Sequence, residues 1–153
     1  SGYFNSGQPI ATRDVEAVAR EVVRLASKDD LRTAKVLVTD LDHTLWHGII
    51  GDDGMDGIHY RPEGKGFKHF FFQTLLRRLK NDGVLLAAVS KNDEEIAREP
   101  LRRGQMVLQD SDFVAVVASW QPKSVQIQML AEQLNLGLDA FVFVDDNSVE
   151  LAE

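Results

Sequence analysis

The stretch KVLVTDLDHTLWHGIIGDDG, residues 35–54, decides how the chain is read. Its first part, KVLVTD (35–40), is a short, β-branched, nearly continuous apolar run, the pattern of a strand buried on both faces of a parallel sheet. The run ends in two carboxylates, Asp40 and Asp42, with glycines close behind. Carboxylates crowded at a strand end repel one another, so a fold keeps them most readily where a cation or a developing charge offsets the cost. A site is expected there.

Outward from this strand, the same arrangement recurs. VLLAAVS (84–90) is a second apolar strand, ending in Ser90, Lys91, Asn92 and Asp93 ahead of a helical stretch. DFVAVVAS (112–119) is a third, followed by Trp120, Gln121, Pro122 and Lys123 and a helix to about Asn135, with Gly137 just past its end. FVFVDDN (141–147) is a fourth and closes on Asp145 and Asp146. Strands alternating with helical periods predict an α/β fold, a doubly wound parallel sheet whose right-handed crossovers bring every strand's C-terminal tip to one edge. Ligands bind at that edge in such sheets.

Between the first two strands, residues 47–66 hold Gly48, Gly51, Gly54, Gly57, Gly64, Gly66 and Pro62, too many breakers for a helix. This segment is expected to form a flap, with Ile49-Ile50 pairing against Ile58-His59-Tyr60 as a small hairpin. It is too short to fold as a separate cap domain. Residues 65–81 carry Phe67, Phe70, Phe71, Leu75 and Leu79 at helical spacing and stop at Asn81-Asp82-Gly83. Upstream, residues 1–11 read as an irregular lead-in, and a helix with Thr12 as N-cap and Val15, Val18, Val22 and Leu25 on one face runs to about Ser27. The organisation expected is a lead-in with a helix over 1–34 and a catalytic domain over 35–153. Ser1-Gly2 reads as a tag scar and the final Leu151-Ala152-Glu153 as the start of a helix, so the chain is expected to be a piece of a longer polypeptide.

With 153 residues, 44% of them hydrophobic, the chain suits one globular domain. A formal net charge of −7 offers no basic field to a phosphate backbone, so nucleic acid is not expected as a partner. No apolar run approaches the roughly 20 residues that span a bilayer, and no leader pattern opens the chain, so no membrane partner and a cytoplasmic location are expected. The chain contains no cysteine, so it has neither a thiolate metal site nor a thiol nucleophile.

The strand tips together offer two acids, a hydroxyl, an ammonium and two more acids. These groups match phosphoryl transfer, which needs a divalent cation, donors to the phosphoryl oxygens, an in-line nucleophile and an acid for the leaving oxygen. Magnesium takes oxygen ligands and few carboxylates; Asp40, Asp145 and the backbone carbonyl of Asp42 would serve. A carboxylate beside the metal can form an aspartyl-phosphate and split the reaction in two, which is the role read for Asp40. Asp42, two residues on, is read as the group that protonates the leaving oxygen and later deprotonates water.

These motifs resemble the four signatures of the haloacid dehalogenase (HAD) superfamily, in order: Asp40-Leu41-Asp42-His43-Thr44, then Ser90, then Lys123, then Asp145-Asp146. The resemblance spans residue 35 onward and implies a HAD-like core with no large cap. More narrowly, DLDHTLWHGIIGDDG, VSKNDE, WQPKS and LNLGLDAFVFVDDN resemble the FkbH-like branch. That branch implies a glyceryltransferase/phosphatase that takes a phosphoglyceryl unit from 1,3-bisphosphoglycerate and passes glycerate to an acyl carrier protein in polyketide pathways. The site so implied has Asp40 and Asp42 as catalytic residues, Thr44, Ser90, Lys91, Asn92 and Lys123 as phosphate-binding residues, and Asp40, Asp42, Asp145 and Asp146 around magnesium. The substrate implied is a phosphorylated small molecule of glyceryl phosphate type.

Two departures matter. His43 stands where the family commonly has Asn, and Val89 where it commonly has a Cys proposed to hold an acyl thioester. An acyl-enzyme thioester on this chain is therefore excluded, which leaves a plain phosphatase or a catalytically decayed carrier-docking domain as alternatives. A response-regulator receiver gathers similar groups, but its Lys comes last, whereas Lys123 precedes Asp145. Trp46 and His47 either touch substrate or pack the flap. His59 and His69 lack the spacing of a transition-metal site, and Asp52, Asp53 and Asp56 lack the closing Glu of a calcium loop. Phe67, Phe70, Phe71 and Phe72 read mostly as core.

Overall fold

The computed structural model describes residues 10–11, 20, 36–144 and 148–151. A six-stranded sheet runs through them in the order β1-β6-β5-β2-β3-β4, where β1 is Ile10–Ala11, β2 Val36–Asp40, β3 Leu85–Ser90, β4 Ala115–Ala118, β5 Phe141–Val144 and β6 Ser148–Leu151. The four strands β5-β2-β3-β4 are parallel, and β6 and β1 extend the sheet antiparallel beyond β5. The chain steps from β2 to β3 to β4 in one direction and then crosses to β5 on the other side of β2. The order therefore reverses beside β2, and the crevice of an open α/β sheet lies at such a reversal, outside the strand C-termini. Asp40 is the last residue of β2.

Both faces of the sheet are covered, which explains the continuous apolar runs. Leu37, Leu86, Ala88, Val116 and Val142 face a larger cluster with Phe72, Leu76, Leu79, Ala97 and Leu101. Their neighbours Val36, Val38, Ala87, Val89, Ala115, Val117 and Phe141 face a second cluster with Leu130. The period-2 alternation of a strand sends successive residues to opposite layers. The helices that supply these layers are α1 (Ile50–Gly57), α2 (Phe67–Asn81), α3 (Glu94–Arg102) and α4 (Lys123–Leu134). Asn135 turns left-handed (φ 56°) and ends α4, and Gly83 (φ 107°) follows the end of α2. Among the described residues no helix is long and apolar enough to cross a membrane.

Four expectations are corrected. The segment expected to lack helix contains α1, kinked at Gly54 (φ 69°). Its helical start is held by one local and one outside bond: the backbone N–H of Ile49 donates to Asp53 of the first turn at 2.8 Å, and that of Ile50 to Asp42 at 2.9 Å. The strand-like pairing in the flap is instead His47 with His59, closed by two backbone hydrogen bonds of 2.8 and 3.0 Å. On α2 the buried stripe is His69, Phe72, Gln73, Leu76 and Leu79, while Phe67 and Phe71 are exposed, so the phenylalanines are not mostly core. At the entry to the helix the backbone passes close to Arg61, where a Cβ on Gly66 would lie 2.6 Å from backbone atoms, so only glycine fits there. Finally, residues 148–151 form β6 and Ile10–Ala11 pair with it, where a helix start and an irregular lead-in were expected. The helix expected from Thr12 to Ser27 lies outside the described residues, apart from Arg20, which is helical.

Candidate active site

At the tip of β2, Asp40 faces in two directions. Its Oδ1 accepts the backbone N–H of Leu41 at 3.1 Å, and its Oδ2 accepts from Lys123 Nζ at 2.8 Å. Lys123 is the first residue of α4, so its charge sits at the positive end of the helix dipole, a placement that costs stability unless an anion is near. The two residues are 83 positions apart in sequence, and folding makes them an ion pair.

Asp42 is held by a different set of donors. Its Oδ1 accepts both the indole N–H of Trp46 and the backbone N–H of Ile50, each at 2.9 Å. Trp46 is fully buried; it packs the flap and its indole N–H orients this carboxylate. Between them His43 adopts a left-handed backbone (φ 64°) and donates its N–H to the carbonyl of Gly48 at 3.2 Å. Asn, Asp and His are the side-chain-bearing residues enriched in that conformation, which explains why His is accepted at this turn.

The remaining expected site residues divide. Ser90, 3% exposed, ends β3 one residue beyond Val89, which lies in register with Asp40 on the neighbouring strand. Asn92 is buried; its Oδ1 accepts the N–H of Asp93 at 2.8 Å, and its amide lies against Gly51 of α1. Lys91 is exposed. Thr44 is fully buried, and its hydroxyl has no hydrogen-bond partner among the described residues. Asp145 and Asp146 lie outside the described residues.

One residue that sequence reading did not single out holds two of these tips together. Gln126 is fully buried on α4, and its Nε2 donates to the carbonyls of Ser90 (2.7 Å) and Ser119 (2.8 Å). It thereby fixes the ends of β3 and β4 against the helix that carries Lys123. The only sequence signal was its position three residues after Lys123, where a glutamine on a helix reads as a solvent-facing side chain. Replacing Gln126 with Leu removes donors from both carbonyls and is expected to lower stability by about 1–3 kcal/mol. Urea titration checks this.

All four histidines of the chain gather at this corner. The His47 ring lies 5.8 Å from that of His59 and 6.2 Å from that of His69. Among the described residues no three acidic or imidazole side chains form a metal-binding group. Nδ1–H of the buried His69 donates to the carbonyl of Thr44 at 2.9 Å. Burial pushes His69 below its usual pKa against the opposing pull of that hydrogen bond, and His47, Lys68 and His43 add to the depression. The folded state thus resists a proton that the unfolded chain accepts near pH 6.5. Stability is expected to fall as pH drops below about 6.5, by at most about 1.4 kcal/mol per pH unit, until the folded-state pKa is passed. His69→Asn, which keeps a donor near Nδ1, should flatten this slope in urea midpoints measured from pH 7.5 to 5.0. His47, lowered in the same direction by partial burial and by Lys65, leaves a residual slope.

No family model and no curated relative matches the chain. Among solved structures, the chain is similar to the N-terminal part of the protein BF1531 from Bacteroides fragilis, described as containing a phosphatase domain complexed with Mg. The two are 37% identical with a TM-score of 0.72, over 84% of this chain and 36% of that one. This chain thus spans only about a third of the length of the solved one, and the two share a fold; among the described residues of this chain that fold is an α/β sheet with no large cap.

Proposed function

We propose that this chain is a magnesium-dependent phosphoryl-transfer enzyme of the haloacid dehalogenase type, with phosphatase chemistry at its base. The observation that carries the reading is Asp40: a carboxylate on the central strand, at the reversal of strand order, 2.8 Å from Lys123 Nζ. The magnesium-bound phosphatase domain of the similar solved structure supports it.

The donor chemistry fits magnesium. Asp40 and the backbone carbonyl of Asp42 supply hard oxygens at one strand end, and this ion is content with one or two carboxylates plus waters and phosphoryl oxygens. Asp145 and Asp146 are the further ligands proposed. When bound, the cation would neutralise charge on the phosphoryl oxygens.

The chain's own residues then act in sequence. An oxygen of Asp40 attacks phosphorus, the bond to the leaving oxygen breaks, and Asp42 gives that oxygen its proton. Water, deprotonated by Asp42, next attacks the aspartyl-phosphate and releases inorganic phosphate, restoring Asp40. Lys123 and Ser90, with Lys91, Asn92 and Thr44 as further phosphate-binding residues, balance and orient the phosphoryl group. The bonds from Trp46 and Ile50 hold Asp42 in place for both proton transfers.

The finer reading is FkbH-like: the substrate is 1,3-bisphosphoglycerate or a related hydroxyacyl phosphate, and the acceptor is an acyl carrier protein. No large cap stands between the strands among the described residues, which suits a substrate met on a bulky carrier. A specific observation favours the plain phosphatase as second reading. Val89 occupies the position of the family's acyl-carrying Cys, and it is fully buried in the apolar cluster with Ala87, Val117 and Leu130. Transfer would have to go directly to the carrier thiol.

Intact mass spectrometry after incubation with 1,3-bisphosphoglycerate, magnesium and a candidate carrier decides between them. A glyceryl adduct on the carrier supports transfer, and free phosphate alone supports the phosphatase. Neither product, with the carrier bound, would identify a decayed docking domain.

A further inference from the structure

The catalytic edge carries a feature that the phosphoryl chemistry leaves unused. Trp120 is 66% exposed, the largest exposure of any bulky apolar side chain among the described residues. Its ring is nonetheless anchored: the indole N–H donates to Asp93 at 2.9 Å. Trp120 lies two residues past the end of β4 and three before Lys123, and Asp93 lies three past Ser90 at the end of β3. The bond therefore joins the two strand tips that bring the proposed phosphate-binding residues to the crevice.

Leaving an indole in water forfeits burial worth about 25 cal/mol per Å² of apolar surface. An aromatic ring tethered at its edge has little rotamer freedom left to lose, so contact with a ligand costs it little entropy. Such a ring suits recognition of an apolar face, by stacking or by packing on a carbon skeleton.

We propose that Trp120 is a specificity-determining residue of this site. Its ring packs against the organic leaving group of the substrate, the carbon-bearing part beyond the phosphoryl group, so the enzyme selects esters and acyl phosphates with an extended skeleton over minimal ones. This rests on the phosphoryl-transfer reading of Asp40. Asp93 is the positioning residue that keeps the ring at the rim.

The test compares phenyl phosphate with acetyl phosphate, with magnesium, on the whole chain. In Trp120→Ala the ratio of kcat/KM for phenyl phosphate over acetyl phosphate is expected to fall at least tenfold, mainly through KM. Trp120→Phe, which keeps a ring, should lose less than threefold. A ratio within twofold of the parent in Trp120→Ala, including an equal loss on both substrates, overturns the proposal. Binding of phenyl phosphate to the Asp40→Asn protein, followed by calorimetry with and without Trp120→Ala, separates the two levels. A fivefold or greater weakening on removing the indole supports the ring contact even if neither substrate is turned over, in which case only the phosphoryl-transfer reading fails. Unchanged affinity overturns the ring contact.

Discussion

Asp40→Asn is expected to abolish magnesium-dependent phosphate release, lowering kcat by at least about a thousandfold, while the protein still folds. The size follows from the role: an amide cannot act as the nucleophile, and removing the nucleophile of a covalent mechanism forfeits nearly all of its rate advantage. The fold should survive because Asn is isosteric and its carbonyl can still accept the N–H of Leu41. The ion pair with Lys123 is weakened; its side chains are 37% and 19% exposed, so the pair is only partly screened by solvent and its loss costs part of the fold's stability without removing any apolar contact. Phosphate release and a urea titration, run on the same preparation, read both halves. Full activity in a folded variant would dismiss Asp40 as nucleophile and with it the proposed chemistry.

Gln73→Leu should be the most destabilising of the substitutions considered, costing about 2–5 kcal/mol with little change in side-chain volume. Gln73 is fully buried on α2. Its Nε2 donates to the carbonyl of Leu45 at 2.7 Å, and its Oε1 accepts the N–H of Leu108 at 2.9 Å. One amide thus serves the loop that follows Asp42 and the segment leading to β4. Leucine fills the space and leaves both buried backbone groups unpaired, each at about 1–3 kcal/mol. The midpoint of urea unfolding measures the loss. A variant as stable as the parent would show that those two groups find other partners. Because Leu45 lies three residues after Asp42, the folded fraction is also expected to show a lower kcat than the parent.

These two predictions draw on different kinds of knowledge. Asp40, Ser90 and Lys123 were legible because each follows a run of β-branched or apolar residues and precedes a helical period, and parallel connections bring such tips to one edge. Gln73 and Gln126 were not legible. A glutamine within a helix reads as surface until the backbone groups it must satisfy are known, and those lie 28 and 36 residues away in sequence. The helix α1 was missed for a related reason. Its glycines make helix locally unfavourable, and the bond from Ile50 to Asp42 outside the helix, with the burial of Ile50, overrides that preference.

The stripe on α2 shows where periodicity stops informing. The sequence FKHFFFQTLLRRLKN offers an apolar stripe through Phe67 and Phe71 and another through Phe72, Leu76 and Leu79, both at helical spacing. Which one meets the sheet is set by packing: Phe72, Leu76 and Leu79 join the cluster with Leu37, Leu86 and Val142. In the same way Ser148–Leu151 is too short to declare itself, and it becomes a strand because the edge of β5 on one side and Ile10–Ala11 on the other supply its hydrogen bonds.

By itself, then, the sequence determined the fold class and placed Asp40, Ser90 and Lys123 at strand ends or just beyond them, since alternating strand and helical patterns and strand-end polar residues are local properties. Only the tertiary structure decided which carboxylate oxygen meets Lys123, what pins Asp42, which face of α2 is buried and that the exposed Trp120 indole is bonded to Asp93. Those outcomes depend on hydrogen-bond partners and packing surfaces supplied by distant segments, and no window of neighbouring residues contains them.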